Sequence, residues 1–186
     1  MRFVALVLLL FAAFPALAGG FGPWTFGMSA YEIRAVESHG PYRAFSNGDL
    51  ETYSADFGGK SQNAQFYLKD GRLWRIALRT YEGTDISKAT QVWIETYTTL
   101  KKLYGPMETP GLSGESLVAL AESAKAIAAD GGKAQMAPVT QPDAEFVFSS
   151  FNSHTHEGVT YYMVTVNYDQ PAPNNSFKPN PLRGSA

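Results

Sequence analysis

The chain contains no cysteine, and that absence constrains its folding more than any other feature. It rules out disulfides, thiolate metal sites, cysteine nucleophiles and a lipid-bearing cysteine. Whatever holds the fold must come from a packed apolar core. The 12 Phe, 10 Tyr and 3 Trp residues supply the material, since each aromatic buries roughly 150–250 Å² when packed.

The start of the chain indicates where that core forms. Met1-Arg2 is a short positive beginning, Phe3 to Phe14 is an unbroken apolar run, and Pro15-Ala16-Leu17-Ala18 ends it with small residues. This is the layout of a secretory signal peptide cleaved after Ala18. The run is too short to cross a bilayer, which takes about 20 residues. No second long apolar segment follows, so no transmembrane segment is expected. The predicted organisation is a signal peptide at 1–18, one domain at 19–169, and a disordered Pro/Asn-rich tail at 170–186. An exported domain without disulfides points to the bacterial periplasm or a secreted location.

Charge narrows the partners. The chain has 15 basic and 17 acidic residues, a formal net charge of −2. Arg2 belongs to the leader, and Lys178 and Arg183 lie in a tail without acids, so the folded part is more acidic than the whole. Nucleic acid is therefore not an expected partner. No basic amphipathic segment suggests membrane-surface binding.

Ser29-Ala30-Tyr31-Glu32 fits a capping box, and the spacing predicts a helix over 30–38 ended by Gly40-Pro41. Asn47-Gly48 marks a turn between two short strands. Gln65 to Arg79 reads as a hairpin. A three-residue loop with Gly71 as a left-handed bulge would pair Phe66 with Trp74 and Leu68 with Arg72. Phe66, Leu68, Trp74, Ile76 and Leu78 then share one face, and Gln65, Tyr67, Lys69, Arg75 and Arg79 the other. Ile86, Ala89, Trp93, Tyr97, Leu100 and Tyr104 form one apolar stripe, predicting a helix at 86–104 capped by Thr84 or Asp85 and stopped by Gly105-Pro106. A third helix is expected over 114–130, with Ser113 as its N-cap. Two strands follow, Glu145–Phe151 with Phe146 and Phe148 toward the core, and Val159–Asp169, joined by an exposed link at 152–158.

Strands come in adjacent pairs, so the fold class is α+β. A mostly antiparallel sheet built from hairpins is expected, covered on one face by a long amphipathic helix and shorter helices. Both halves run helix, Gly-Pro stop, strand pair.

Phe26-Gly27-Met28-Ser29, with Glu32-Ile33 and Gly40-Pro41, resembles the Gly-Met-Ser/Thr helix start of small bacterial envelope proteins. These are the SmpA-like outer-membrane-assembly lipoproteins and the β-lactamase-inhibitor-protein-like fold. The likeness spans residues 26–80 at most. It implies helices on an antiparallel sheet and a role in binding other proteins.

Candidate sites are few. His154-Thr155-His156 would project two imidazoles from one face of an extended strand, as a metal site needs, although a solvated hairpin tip is the favoured reading. Gly111-Leu112-Ser113-Gly114-Glu115 misses the last glycine of a nucleophile elbow. Gly131-Gly132-Lys133 reads as a helix stop, and Asp49, Glu51 and Asp56 as a solvated edge. Tyr67, Arg75 and Arg79 on one hairpin face, with Tyr161 among the aromatics left over from the core, form an aromatic and arginine mixture suited to a binding surface. No cofactor and no catalytic set is expected. The resulting expectation is an exported, non-enzymatic interaction module whose partner is another envelope protein. A metal-assisted hydrolase using His154 and His156, or a carrier of a small apolar ligand, stands as the alternative.

Overall fold

A computed structural model describes residues 19–171. Residues 1–18, where a signal peptide is expected, and residues 172–186 of the expected tail lie outside the described residues. A small ribbon, β1 (Gly20–Phe21) and β2 (Trp24–Thr25), precedes helix α1 (Ala30–Arg34) and a 3-10 turn at Glu37–His39. Four strands follow: β3 (Tyr42–Ala44), β4 (Leu50–Phe57), β5 (Lys60–Lys69) and β6 (Arg72–Gly83). Helix α2 (Ile86–Tyr104), the short β7 (Met107–Glu108) and helix α3 (Leu117–Ala129) come next. The chain then forms β8 (Lys133–Pro138), β9 (Phe146–His156) and β10 (Val159–Asp169). The result is an α+β fold with an eight-stranded sheet ordered β3-β4-β5-β6-β10-β9-β8-β7, antiparallel at every pairing. No helix among the described residues is long and apolar enough to cross a membrane.

Local chemistry accounts for the helix ends. The Ser29 amide donates to Glu32 Oε2 at 2.7 Å while the Glu32 amide donates to Ser29 Oγ at 3.3 Å, the expected capping box. Helix α1 is shorter than its spacing suggested, giving way after Arg34 to the 3-10 turn. Asp85 accepts from the amides of Ser87 and Lys88, and α2 ends at Gly105, whose φ of +85° suits glycine. Helix α3 corrects its expected start. Ser116, not Ser113, caps it by accepting from the Ala119 amide at 3.2 Å, and Ser113 instead meets Ser123.

The β5–β6 hairpin corrects the expected register. Asp70 and Gly71, at φ +52° and +73°, form a two-residue turn with Lys69 opposite Arg72 and Leu68 opposite Leu73. The irregularity comes one pair later, between Tyr67 and Leu68, and from there Tyr67 faces Arg75 and Phe66 faces Ile76. Leu73 is fully buried while Trp74 is half-buried, so Leu73 takes the core place expected for Trp74. In the last hairpin, Glu157-Gly158 makes another two-residue turn and β9 extends to His156. The supposed link at 152–158 is therefore mostly strand.

One core cluster joins the inner-facing residues of the sheet, including Phe66, Ile76, Leu78, Phe151, Val164 and Val166. Ala89, Trp93 and Leu100 from α2 and Ala121, Ala124 and Ala128 from α3 belong to the same cluster. Trp24 is buried beside them, its ring 4.8 Å from Phe66 and 4.9 Å from His39.

Candidate binding face

Side chains alternate across a strand, so the registers that bury Phe66, Ile76 and Tyr168 turn their neighbours the other way. Three cross-strand rows result. One runs Tyr67, Arg75, Asp169, Phe146. The next runs Glu51, Gln65, Ala77, Asn167, Phe148, and the third Asn63, Arg79, Thr165, Ser150, Gln135. Phe146 and Phe148, expected in the core, thus lie on the outer face. Val147 and Phe151 fill the inner positions, because β9 must match the phase of Val164 and Val166 on β10.

The outer face is concave for a simple reason. Its middle is made of small or short residues, Ala77, Ser150 and Asn167, while Tyr67, Arg75, Arg79, Phe148, Met163 and Lys133 stand around them. The hollow measures about 290 Å³ and spans β5 to β8. Two further hollows adjoin it. One of about 410 Å³ lies by the β3–β4 loop and shares Gln65 and Tyr67. One of about 250 Å³ lies by β7 and β8 and shares Phe148.

Electrostatics fix the large side chains in place. Arg75 forks onto Asp169, its Nε donating to Oδ1 at 2.6 Å and its Nη2 to Oδ2. That hydrogen bonding raises the Arg75 pKa further against the opposing effect of burial. The same guanidinium lies 4.6 Å over the Trp74 ring. Arg79 pairs with Glu82, Lys133 stands 5.9 Å over Phe148, and the Tyr67 hydroxyl donates to Gln65 at 2.8 Å. Among the buried polar atoms without a partner among the described residues, two belong to this face: Arg79 Nε and Asn63 Oδ1. They belong to directly opposed residues and offer one donor and one acceptor.

The expected site residues divide into two groups. Tyr67, Arg75 and Arg79 come together in the central hollow. Tyr161 shares their face by alternation but sits toward the β9–β10 tip, stacked on His154 at 5.5 Å. His154 and His156 are both exposed there, with Glu157 Oε1 3.9 Å from His156 Nε2. Among the described residues no group of three or more His, Asp or Glu could hold a metal ion. His39 is elsewhere, its Nδ1 2.7 Å from the Ser54 carbonyl oxygen.

The edge carboxylates are also structural. Asp49 accepts the Leu68 amide at 2.8 Å, and Glu51 is 8% exposed and accepts from Asn63 Nδ2 at 3.1 Å. Asp49 and Glu51 are therefore not the solvated edge expected of them, whereas Asp56 is exposed. Sequence reasoning missed Asn63, Phe148, Ser150, Met163 and Thr165 as parts of the face. For Met163 and Thr165 the signal was present in the alternation of β10 with Val164 and Val166. No known protein family, curated protein or solved structure matches this chain.

Proposed function

We propose that this chain is an exported, non-enzymatic binding module of the bacterial envelope that docks another envelope protein on its concave sheet face. The observation that carries the reading is the make-up of that face. Tyr67, Phe148 and Met163 offer apolar contact area, and Arg75, Arg79 and Lys133 offer directed donors, all on sheet strands that hold them rigid. Aromatic and arginine anchors on a preorganised surface lose little side-chain freedom on binding, which favours a protein partner. The likeness to SmpA-like and β-lactamase-inhibitor-protein-like proteins, whose members bind other proteins, agrees with this. The helices share the core with the inner rows, and in this reading they cover that side and leave the outer rows for the partner.

A photo-crosslinking amino acid placed in turn at Tyr67, Phe148 and Val118 tests it in envelope preparations. Val118 is on α3 and 66% exposed. The same discrete protein adduct is expected from Tyr67 and Phe148 and not from Val118, and Arg79→Ala should reduce its yield at least tenfold. An adduct from Val118 alone, or none from the sheet positions, defeats the reading.

A further inference from the structure

Gly19 and Gly20 are held more tightly than the edge of a domain usually is, since such residues fray unless something ties them down. Gly19 is buried, its carbonyl accepts the Phe26 amide at 2.8 Å, and the Gly20 amide donates to Glu145 Oε2 at 2.9 Å. A Cβ added at Gly19 would run into the Ala144 carbonyl, and one added at Gly20 into the Trp24 carbonyl. Both positions therefore need glycine, because the chain passes flush against two stretches of backbone.

Glu145, just before β9, is the acid at this point. It is half-buried and has no ion pair among the described residues. Burial chiefly, with a smaller push from the Glu145 carboxylate, raises the pKa of the Tyr104 and Tyr168 hydroxyls, so its charge is felt by a buried pair of phenols. Glu145 Oε2 lies 3.0 Å from where a Gly19 Cβ would stand. Bond geometry then puts the Gly19 nitrogen within about 5.5 Å of that oxygen, inside the ~4–6 Å over which opposite charges act strongly. We propose that removal of the expected leader after Ala18 creates a Gly19 α-ammonium that forms an ion pair with Glu145 and locks the β1–β2 ribbon onto the sheet.

The inference rests on the exported reading above, which supplies the cleavage by a signal peptidase. Hydrolysis adds water across the Ala18–Gly19 peptide bond. Ala18 leaves with the carboxylate, and Gly19 keeps the nitrogen, which takes up a proton at neutral pH. An uncharged amide thus becomes a cation with three donors, and its nearest acid is a carboxylate that already holds the next amide along. The ribbon that this anchors carries Phe21 and Trp24, whose rings lie 4.8 Å from those of Tyr168 and Phe66 respectively. Cleavage would therefore complete the packing of the first half of the core. The position of the cut matters, because a cut one residue later would remove the carbonyl that the Phe26 amide uses.

The protein recovered from a bacterial host after expression with its own first 18 residues should have the intact mass of a chain beginning at Gly19. Any other start overturns the proposal together with the cleavage on which it rests. The ion pair is tested separately by urea unfolding of two chains, one beginning at Gly19 and one retaining Leu17 and Ala18, each with and without Glu145→Gln. Glutamine still accepts the Gly20 amide, so the substitution removes the charge alone. Glu145→Gln should lower the folding equilibrium constant about tenfold in the chain beginning at Gly19 and hardly at all in the longer one. Equal losses in the two chains, or none in either, overturn the ion pair while leaving export intact. Acetylating the α-amino group of Gly19 should reproduce the longer chain's behaviour. An acetylated chain that keeps the full Glu145→Gln loss shows that Glu145 holds something other than the ammonium, and the proposal falls.

Discussion

The two halves of the sheet follow one plan and finish it differently. In each, a Gly-Pro step leads from helical structure into a short edge strand, β3 or β7, and the chain then works inward to β6 or β10, which join at the centre. The first half has a five-residue helix and relies on Trp24, clamped between Phe66 and His39 with its Nε1 donating to the Tyr42 hydroxyl at 3.2 Å. The second half has the 19-residue α2 plus α3, and its own buried indole, Trp93. Trp93 Nε1 finds no partner among the described residues. One half is held by an indole with every need met, the other by helix area that tolerates an unmet one.

This contrast yields the largest expected effects. Trp24→Ala should destabilise by about 3–5 kcal/mol, the range for large core truncations, and so should Trp93→Ala. The phenylalanine substitutions separate them. Trp24→Phe removes a made hydrogen bond, worth about 1 kcal/mol, whereas Trp93→Phe removes a buried donor whose desolvation costs about 1–3 kcal/mol. Urea denaturation should therefore show Trp93→Phe as clearly the milder of the two. Equal losses would mean that the halves do not differ in this way.

The seam between the halves supplies a smaller effect. Arg75 on β6 and Asp169 on β10 are 31% and 17% exposed and joined by two hydrogen bonds. With Arg75 partly in water, a double-mutant cycle of Arg75→Ala and Asp169→Ala should give a coupling of about 1 kcal/mol, not the larger value of a dry pair. Arg75→Lys should recover less than half of it, because an ammonium cannot reproduce the fork. A coupling near zero would mean that the seam is held by the β6–β10 ladder and inner packing alone.

What could be read from the sequence follows the range of the interactions. The α2 limits at 86–104, the Ser29–Glu32 box and the Gly105-Pro106 stop are set by residues within one or two turns of each other, and the sequence shows all of them. The register of β6 is not local. Moving the irregularity from Gly71 to the Tyr67–Leu68 step exchanges Trp74 for Leu73 in the core, and only the packing against β4 and β10 decides between them. Strand β8 escaped notice because Ala134 and Met136 bury as well as larger residues while carrying little strand preference. The outer face was half legible. Tyr67, Arg75 and Arg79 were placed together by alternation within one hairpin. Phe146 and Phe148 went to the wrong side because a run of Phe, Val, Phe, Ser, Ser, Phe satisfies either phase until β10 is laid beside it.

The smallest expected effect again separates the halves, through their helix starts. Glu32 is held below the ordinary carboxylate pKa, chiefly by the Ser29 amide, then by the Ser29 hydroxyl, with a lesser pull from Arg72 at 3.6 Å. A carboxyl depressed in the folded state binds its proton less readily there than in the unfolded chain. Its contribution is therefore complete above the ordinary Glu value of about 4.3 and is lost as pH falls through the lower folded value. Glu32→Gln should flatten the acid side of the stability profile in that window and leave the neutral plateau nearly unchanged, since Gln can still accept the Ser29 amide. Because the group is fully exposed, the change should be just resolvable in thermal melts run from pH 3 to 7. Ser116→Ala, at the cap of α3, should instead lower stability by about 1 kcal/mol with no such pH dependence, because a hydroxyl does not titrate. If the two variants gave parallel profiles, the Glu32 carboxylate would have no special part in starting the first half.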